Sequence, residues 1–363
     1  MPFDCDVLIA GGGPTGMSAA LGLAQLGHKV HIVEKHPNGL DFSRAILVNA
    51  STLMLLQPSG AAVAIAARGR PVTSLAVRGP SGKILSGDIE PERLDGLRPV
   101  FLPQLETEDC LRYALVARGV QVERPCELVG FAQDADGVTA MLEAEGVRRD
   151  VRTRYLLGAD GYHSRVRDGL NVPFRGMGPD VTMFTADVVM SEPFEEDACV
   201  FVLPQGVGVA LRFRDRKVRL AWTSRAAYEA SGFGPRIEAT TWEIDFIAHF
   251  AVAERYGEGR VWLAGDAAHV HSPVGGRGMN MGIADGFRLA RAVHDGDFAA
   301  YARERREIAD GWVQTNQRLT SAISLPGLSG RLLRLGVRGA LEAASLLAGE
   351  RLAQTLLRRI AAT

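Results

Sequence analysis

Cysteine is scarce. Cys5, Cys110, Cys126 and Cys199 are the only four in 363 residues, and they are scattered, with no C-x-x-C pair and no spacing that suits zinc. This argues against a metal site and predicts a reduced, cytoplasmic setting. No strong charge of one sign is present: the formal net charge of -1 leaves neither a nucleic-acid footprint nor bulk attraction for acidic substrates. No segment approaches the roughly 20 uninterrupted apolar residues that a membrane-spanning helix needs. The opening "MPFDCDVLIAGGG" passes from a polar start into a short strand without a basic, then apolar, leader. What remains is 47% apolar and 23% charged residues, the composition of a soluble globular protein, at a length that suits two domains or one large interleaved body.

Glycine is plentiful, and its placement is informative. Residues 6–34, "DVLIAGGGPTGMSAALGLAQLGHKVHIVE", read as strand, tight turn, helix and strand, with Gly11, Gly13 and Gly16 in G-x-G-x-x-G spacing. The first glycine permits the turn, the second lets backbone approach a pyrophosphate, and the third lets helix pack close to strand. The helix N-terminus then offers N–H groups to phosphate. Glu34, at the end of the second strand, suits ribose hydroxyls. This pattern predicts dinucleotide binding and by itself leaves NAD and FAD open.

Two more strands end in carboxylates: "RTRYLLGADGYHSRVRDGL" at Asp160 and "GRVWLAGD" at Asp266. Each, alone, reads as a loop or cap aspartate or as a crevice ligand. Together with the first turn they resemble the FAD-dependent aromatic hydroxylases, the group A flavoprotein monooxygenases of the p-hydroxybenzoate hydroxylase fold. The resemblance covers about residues 1–60, 100–170 and 240–300 and describes a short form lacking the thioredoxin-like C-terminal domain of larger relatives. It implies an α/β fold, with a Rossmann-type FAD-binding domain (1–70, 104–170 and 260–300) interleaved with an antiparallel β-sheet substrate domain (71–103 and 171–259) and a helical C-terminus (301–363).

The same resemblance assigns the cofactor contacts. Gly11, Gly13, Pro14, Thr15, Gly16, Glu34 and Lys35 take the ADP half of FAD, Asp160 lies near the pyrophosphate, and Gly265 with Asp266 holds the ribityl chain. Arg44 in "FSRAILVNAST" and Gln104 in "LPQLETEDCLR" match further contact positions. Pro273, Gly276, Gly278, Met279 and Asn280 fall at the reactive end. Met279, Ile283, Phe287 and Ala290 recur at helical spacing, so a helix begins near Gly278, and its first N–H groups are placed to face N1 and O2 of the isoalloxazine and favour the anionic reduced flavin. Gly286 stands where the family usually has alanine, at a mid-helix cost of about 1 kcal/mol, and permits a closer packing partner.

Residues 181–224 read as an antiparallel meander, with Val207, Val209, Leu211 and Phe213 on an apolar face that Val218, Leu220 and Trp222 continue. A hairpin turns at Gly79 to Gly82. In the resembling family such a sheet roofs the flavin and holds the substrate. Arg212 and Arg214, on the alternate face, are candidates for a substrate carboxylate or phenolate, or else solvated surface arginines. His249 and Tyr256 are candidates to assist deprotonation of a phenol but read better as core or surface residues, so no catalytic base is assigned. The C-terminal stretch is amphipathic, with Arg331, Arg334, Arg338, Arg351, Arg358 and Arg359 on its polar side, and is expected to pack on the body or on a second copy rather than on a membrane.

The resemblance therefore implies a monooxygenase, monomeric or homodimeric, in which NADPH or NADH reduces FAD transiently, without a fingerprint of its own. A flavin C4a-hydroperoxide then delivers one atom of O₂ to an aromatic or polyketide-like small molecule. A flavin-dependent reductase of the same fold and a non-catalytic FAD-binding partner protein are the alternatives. The halogenase pattern W-x-W-x-I-P is missing, because Trp222, Trp242, Trp262 and Trp312 stand alone.

Overall fold

β1 (Cys5–Ala10) is an apolar run with Val7, Leu8 and Ile9 fully buried, which is the signature of a parallel strand covered on both faces. It lies between strand Val147–Gly158 and β2 (Val30–Val33), parallel to both, with Val7 opposite Tyr155 on one side and Val30 on the other. Val261–Leu263 and Val122–Glu123 extend the parallel sheet outward at its two sides. The computed structural model describes residues 2–38, 45–88 and 96–339, so Arg44, Arg351, Arg358 and Arg359 lie outside the described residues.

The chain divides into two compact units. The first comprises Met1–Ala67, Pro103–Pro179 and His249–Asn316 and carries the parallel sheet; the second comprises Arg68–Leu102, Asp180–Ala248 and Gln317–Thr363. The division between the units falls within helix Phe298–Ser324, at Asn316 and Gln317.

In the first unit, α1 (Pro14–Gln25) packs against the helix Gly278–Asp295 through small residues. An ideal Cβ on Gly286 would lie 2.5 Å from the Thr15 carbonyl oxygen and 2.8 Å from the Ala19 nitrogen. A Cβ on Gly22 would lie 2.8 Å from that of Ala290. The two helices thus meet at backbone distance, and the propensity lost at Gly286 is offset by contact that an alanine would forbid.

In the second unit a seven-stranded sheet runs in the order Ile237–Ala248, Val181–Met190, Lys217–Trp222, Gly206–Arg212, Ala198–Leu203, Ser74–Gly79 and Gly82–Asp88. All neighbours are antiparallel except Ala198–Leu203 with Ser74–Gly79. The hairpin turn falls at Gly79 and Gly82, as the sequence predicts. The meander also forms, but its core face differs from the expected one. Register pairs Gly208 with Trp222 and Ala210 with Leu220, so the small residues are the buried ones and Val207, Val209 and Leu211 stay half-exposed. Trp222 explains the inversion. Its indole, fully buried among Phe184, Phe201 and Phe233, lies 2.3 Å from where a Gly208 Cβ would be, so only glycine fits beneath it. Arg334 departs from expectation too: it is 7% exposed and donates to the carbonyls of Pro204, Ile323 and Leu325, closing the end of the long helix Phe298–Ser324.

Because the atoms facing Gly286 are backbone and cannot turn away, Gly286→Val is expected to lower stability by about 1–3 kcal/mol or more. Gly311→Ala, in open space on helix Phe298–Ser324, is expected to raise it by up to about 1 kcal/mol. Chemical denaturation of the two variants beside the parent measures both.

Candidate functional site

Three loops of the first unit follow the carboxyl ends of its parallel strands, and a fourth leads from the antiparallel strand His269–Val270 into helix Gly278–Asp295. The first is the glycine turn. Gly11 has φ +109°, and a Cβ there would strike the Ala159 carbonyl oxygen at 2.1 Å; a Cβ on Gly16 would strike the Gly11 oxygen at 1.9 Å. Those two glycines serve the packing of turn, helix and the 159–160 loop. Gly13 differs, since a Cβ added to it would meet nothing within 4 Å. It is the α1 N-cap, no side chain caps the helix there, no acid occupies the first turn, and Pro14 follows as a residue that needs no N–H partner. The result is an open cradle at a positive helix end, which fits a pyrophosphate.

Glu34 is fixed beside it. Its carboxylate accepts from the Gly12 N–H at 2.8 Å and the His36 N–H at 2.9 Å, and each oxygen keeps a further lone pair for a ribose hydroxyl. Lys35 is exposed. Arg124 donates to the Gly12 carbonyl at 3.0 Å and steadies the turn from the other side.

Asp160 uses its side chain locally. Ser164 Oγ donates to it at 2.6 Å and the Val166 N–H at 3.2 Å, while Ser164 in turn caps the short helix Arg165–Gly169. Burial pushes the Asp160 carboxyl up, partly countered by these donors. Its carboxylate therefore shapes the loop whose backbone lies directly under Gly11.

The third loop follows Val261–Leu263. Asp266 is exposed in a run where Leu263 to Gly265 and Ala267 to Val270 are all buried. Gly265, at φ +61°, makes this turn, and Thr15 Oγ1 lies 2.4 Å from where its Cβ would be. Thr15 thus acts as a wedge between the glycine turn and the Asp266 turn.

The fourth loop runs from Pro273, which is exposed, to Asn280. Gly276 at φ +62° makes the bend before helix Gly278–Asp295, which has no side-chain cap and no acid in its first turn. The Asn280 side chain is committed to structure: its Nδ2 donates to the Leu47 and Gly276 carbonyls at 2.9 and 2.8 Å, and its Oδ1 accepts from the Asn49 N–H. Gly278, Met279 and Asn280 consequently offer backbone rather than side chains. Gln104 pairs with both backbone groups of Ala45, next to the Arg44 stretch. His271, whose Nδ1 donates to the Ser272 carbonyl, is pushed by burial down to about 4 and stays neutral beside Gly278.

Several positioning residues escaped the sequence reading. Arg167, 7% exposed, donates to the Tyr162 and Ala267 carbonyls and so ties the Asp160 loop to the Asp266 turn. Asp285, fully buried, accepts from the Gly265 N–H, from His269 and from Arg305. For Asp285 the available signal was a carboxylate, opposite the Met279–Ile283 stripe, in a helix that also carries small and apolar residues on that side.

The glycines give a sharp test. Gly13→Val is expected to leave the melting temperature of the FAD-free protein unchanged and to weaken FAD binding by more than about tenfold, since the side chain enters only the cradle. Gly11→Val is expected to destabilise the FAD-free protein itself, because it meets backbone and carries positive φ. Thermal melts with FAD titration check the pair.

A family model for an FAD binding domain matches residues 4–244 and 234–314. The 6-methylpretetramide 4-monooxygenase of Streptomyces rimosus is 32% identical over 318 residues, covering 81% of this chain and 57% of the relative. Rifampicin monooxygenase of Streptomyces venezuelae is 34% identical over 311 residues, covering 78% and 63%. The chain thus spans about three fifths of the length of these relatives. Among solved structures, p-nitrophenol 4-monooxygenase from Pseudomonas putida has the same fold, with a TM-score of 0.84 at 20% identity over 98% of this chain and 97% of that one. Anhydrotetracycline hydroxylase from Streptomyces rimosus matches with a TM-score of 0.75 at 26% identity, over 99% and 76%. With the glycine cradle, the Asp266 turn and the uncapped second helix built into one unit, the chain belongs to the FAD-binding domain family of the flavoprotein aromatic hydroxylases.

Proposed function

We propose that this protein is an FAD-dependent monooxygenase that inserts one atom of O₂ into an aromatic or polyketide-like small molecule at the expense of NAD(P)H. One observation carries the reading: a single unit holds two helix N-termini without side-chain caps, at Gly13 and at Gly278, with the exposed Asp266 presented on a buried turn. That set of groups suits one extended dinucleotide with an anionic middle and a ring that takes on negative charge when reduced. When bound, FAD supplies hydride acceptance and oxygen activation. The chain supplies position and electrostatics: the Gly13 turn binds phosphate, Asp266 accepts from ribityl hydroxyls, and the first N–H groups of helix Gly278–Asp295 favour negative charge beside them. Relatives named as monooxygenases of 6-methylpretetramide and rifampicin support the substrate class. Among the described residues, no helix is long and apolar enough to cross a membrane.

Within the second unit, the two arginines that are candidates for a substrate carboxylate or phenolate are engaged elsewhere. Arg212 pairs with Asp197 at 2.7 Å, and Asp197 is held well below the ordinary carboxylate range: burial alone would raise it, but Thr73, Arg212 and Arg70 outweigh burial. Arg214 donates to the Arg68 and Phe213 carbonyls. The half-exposed face of the sheet instead presents Val200, Val209, Ala221 and Thr185 in one row, with Arg219 and Asp187 closed on each other in the next. We infer that the substrate ring rests on this face, whose apolar row is flanked by an internally paired Arg219 and Asp187.

Two measurements test the proposal. Turnover under ¹⁸O₂ with candidate polycyclic phenols is expected to place one labelled atom in the product, with substrate-stimulated NAD(P)H oxidation. A saturated product without added oxygen would make the protein a reductase, and no stimulated oxidation with any candidate would make it a binding protein. Arg212→Met is expected to lower stability by about 1–3 kcal/mol, through the buried Asp197 it leaves, while KM for the substrate stays unchanged. A raised KM with unchanged stability would return Arg212 to substrate binding.

A further inference from the structure

Beneath the Asp266 turn lies a group of buried charges that the proposed chemistry does not use. Asp285, on helix Gly278–Asp295, is fully buried. Its Oδ2 accepts from the Gly265 N–H at 3.0 Å and from His269 Nε2 at 2.6 Å, and its Oδ1 accepts from Arg305 Nε at 2.5 Å. His269 is 2% exposed and Arg305 is 8% exposed. Burial alone would push the Asp285 carboxyl up, but His269, Arg305 and the Gly265 N–H outweigh it and keep it ionised. Tyr301 donates to the Leu263 carbonyl at 2.6 Å, so the strand leading into the turn is anchored from the same layer.

The geometry has a direct consequence for the cofactor side. Gly265 adopts φ +61°, and its N–H points inward to Asp285 while the next residue, Asp266, faces outward. Without an acceptor that N–H is a buried donor with no partner, and the turn relaxes toward a conformation that supplies one. Any such relaxation moves Asp266. We infer that Asp285, with Arg305 as its counter-charge and His269 as its second donor, is a positioning residue for FAD: it fixes the peptide at Gly265 and thereby the outward aim of Asp266. Three donors need at least two acceptor oxygens, which a carboxylate has and a carboxamide lacks. Asparagine at 285 keeps the shape and turns an NH₂ toward one of the three donors.

The inference rests on FAD as the ligand, and its test is one of coupling between two residues. The parent, Asp266→Ala, Asp285→Asn and the double variant, all full-length, are stripped of flavin and titrated with FAD, following flavin fluorescence, with the melting temperature of each FAD-free protein measured alongside. Each single change is expected to weaken FAD by at least about tenfold, the scale of a hydrogen bond to a charged group. In the double variant the dissociation constant is expected to stay within about threefold of the weaker single, because Asp266 is already misplaced when Asp285 is gone. A purely structural role lowers the melting temperature but leaves the two penalties independent, so multiplication of the two factors overturns the inference. FAD binding by Asp285→Asn equal to the parent overturns it as well. Should Asp285→Asn not fold, Arg305→Lys, which keeps the charge and shortens the reach, enters the same cycle under the same criterion. Failure of the parent to bind FAD at all would instead remove the cofactor reading on which the inference stands.

Discussion

The first unit depends on a lack of room around Thr15. Side-chain carbons added at Gly265 and Gly282 would lie 2.4 and 2.3 Å from Thr15 Oγ1, and one at Gly286 would lie 2.5 Å from the Thr15 carbonyl oxygen. Three glycines from one stretch of sequence therefore close on a single residue from the other end of the chain. This contact sets how near helix Gly278–Asp295 comes to α1, and so how near the Asp266 turn comes to the glycine turn. On the proposed reading, a cofactor spanning both turns would meet backbone at each of them, with few side chains to reorganise.

Buried charge maintains that closeness. Arg167 donates to the carbonyls of Tyr162 and Ala267 and lies 3.6 Å from the Asp168 carboxylate, and Asp285 gathers an N–H, an imidazole and a guanidinium. Replacing such groups with apolar ones of equal volume would cost little stability in principle, since desolvation cancels most of the Coulomb gain. Their worth lies in direction. A satisfied polar network admits fewer alternative arrangements than an apolar contact of the same size, and here the groups it orients are the peptide bonds of the 160–162 loop and of the Asp266 turn.

Backbone requirements were legible in the sequence, and side-chain partnerships were not. The spacing of Gly11, Gly13 and Gly16, the acid closing β2 and the helix start at Gly278 could be read because each demands a residue type at a fixed chain offset. The closer packing that Gly286 permits was legible for the same reason. Strand alternation showed that Gly206–Arg212 has two faces without showing which is the core, and volume decided it: Trp222 needs the glycine side. The engagement of Arg212 by Asp197, of Arg167 by Ala267 and of Asp285 by Arg305 depends on residues 15, 100 and 20 positions apart that only the fold brings together. Asp160 shows both sides, because its place at a strand end was legible while its local use, accepting from Ser164 and from the Val166 N–H at the start of Arg165–Gly169, was one of two open readings.

The inverted sheet face bears on specificity. Had the valines of Gly206–Arg212 formed the core, the opposite face would present glycine, alanine and two arginines, a surface that recognises an anion through charge. With Trp222 on the glycine side, the valines are left outward and the cations are paired internally, Arg212 with Asp197 and Arg219 with Asp187. A surface of that kind discriminates by shape and apolar area, at about 25 cal/mol per Å² of contact, and gains most from a broad flat ring system. Charge recognition by a single arginine suits a small carboxylated ring, whose area is too slight to bind otherwise. On the proposed reading, in which the substrate ring rests on this face, the tryptophan that inverts the sheet favours large, neutral ring systems over small acids, and a packing decision in the core bears on the choice of substrate.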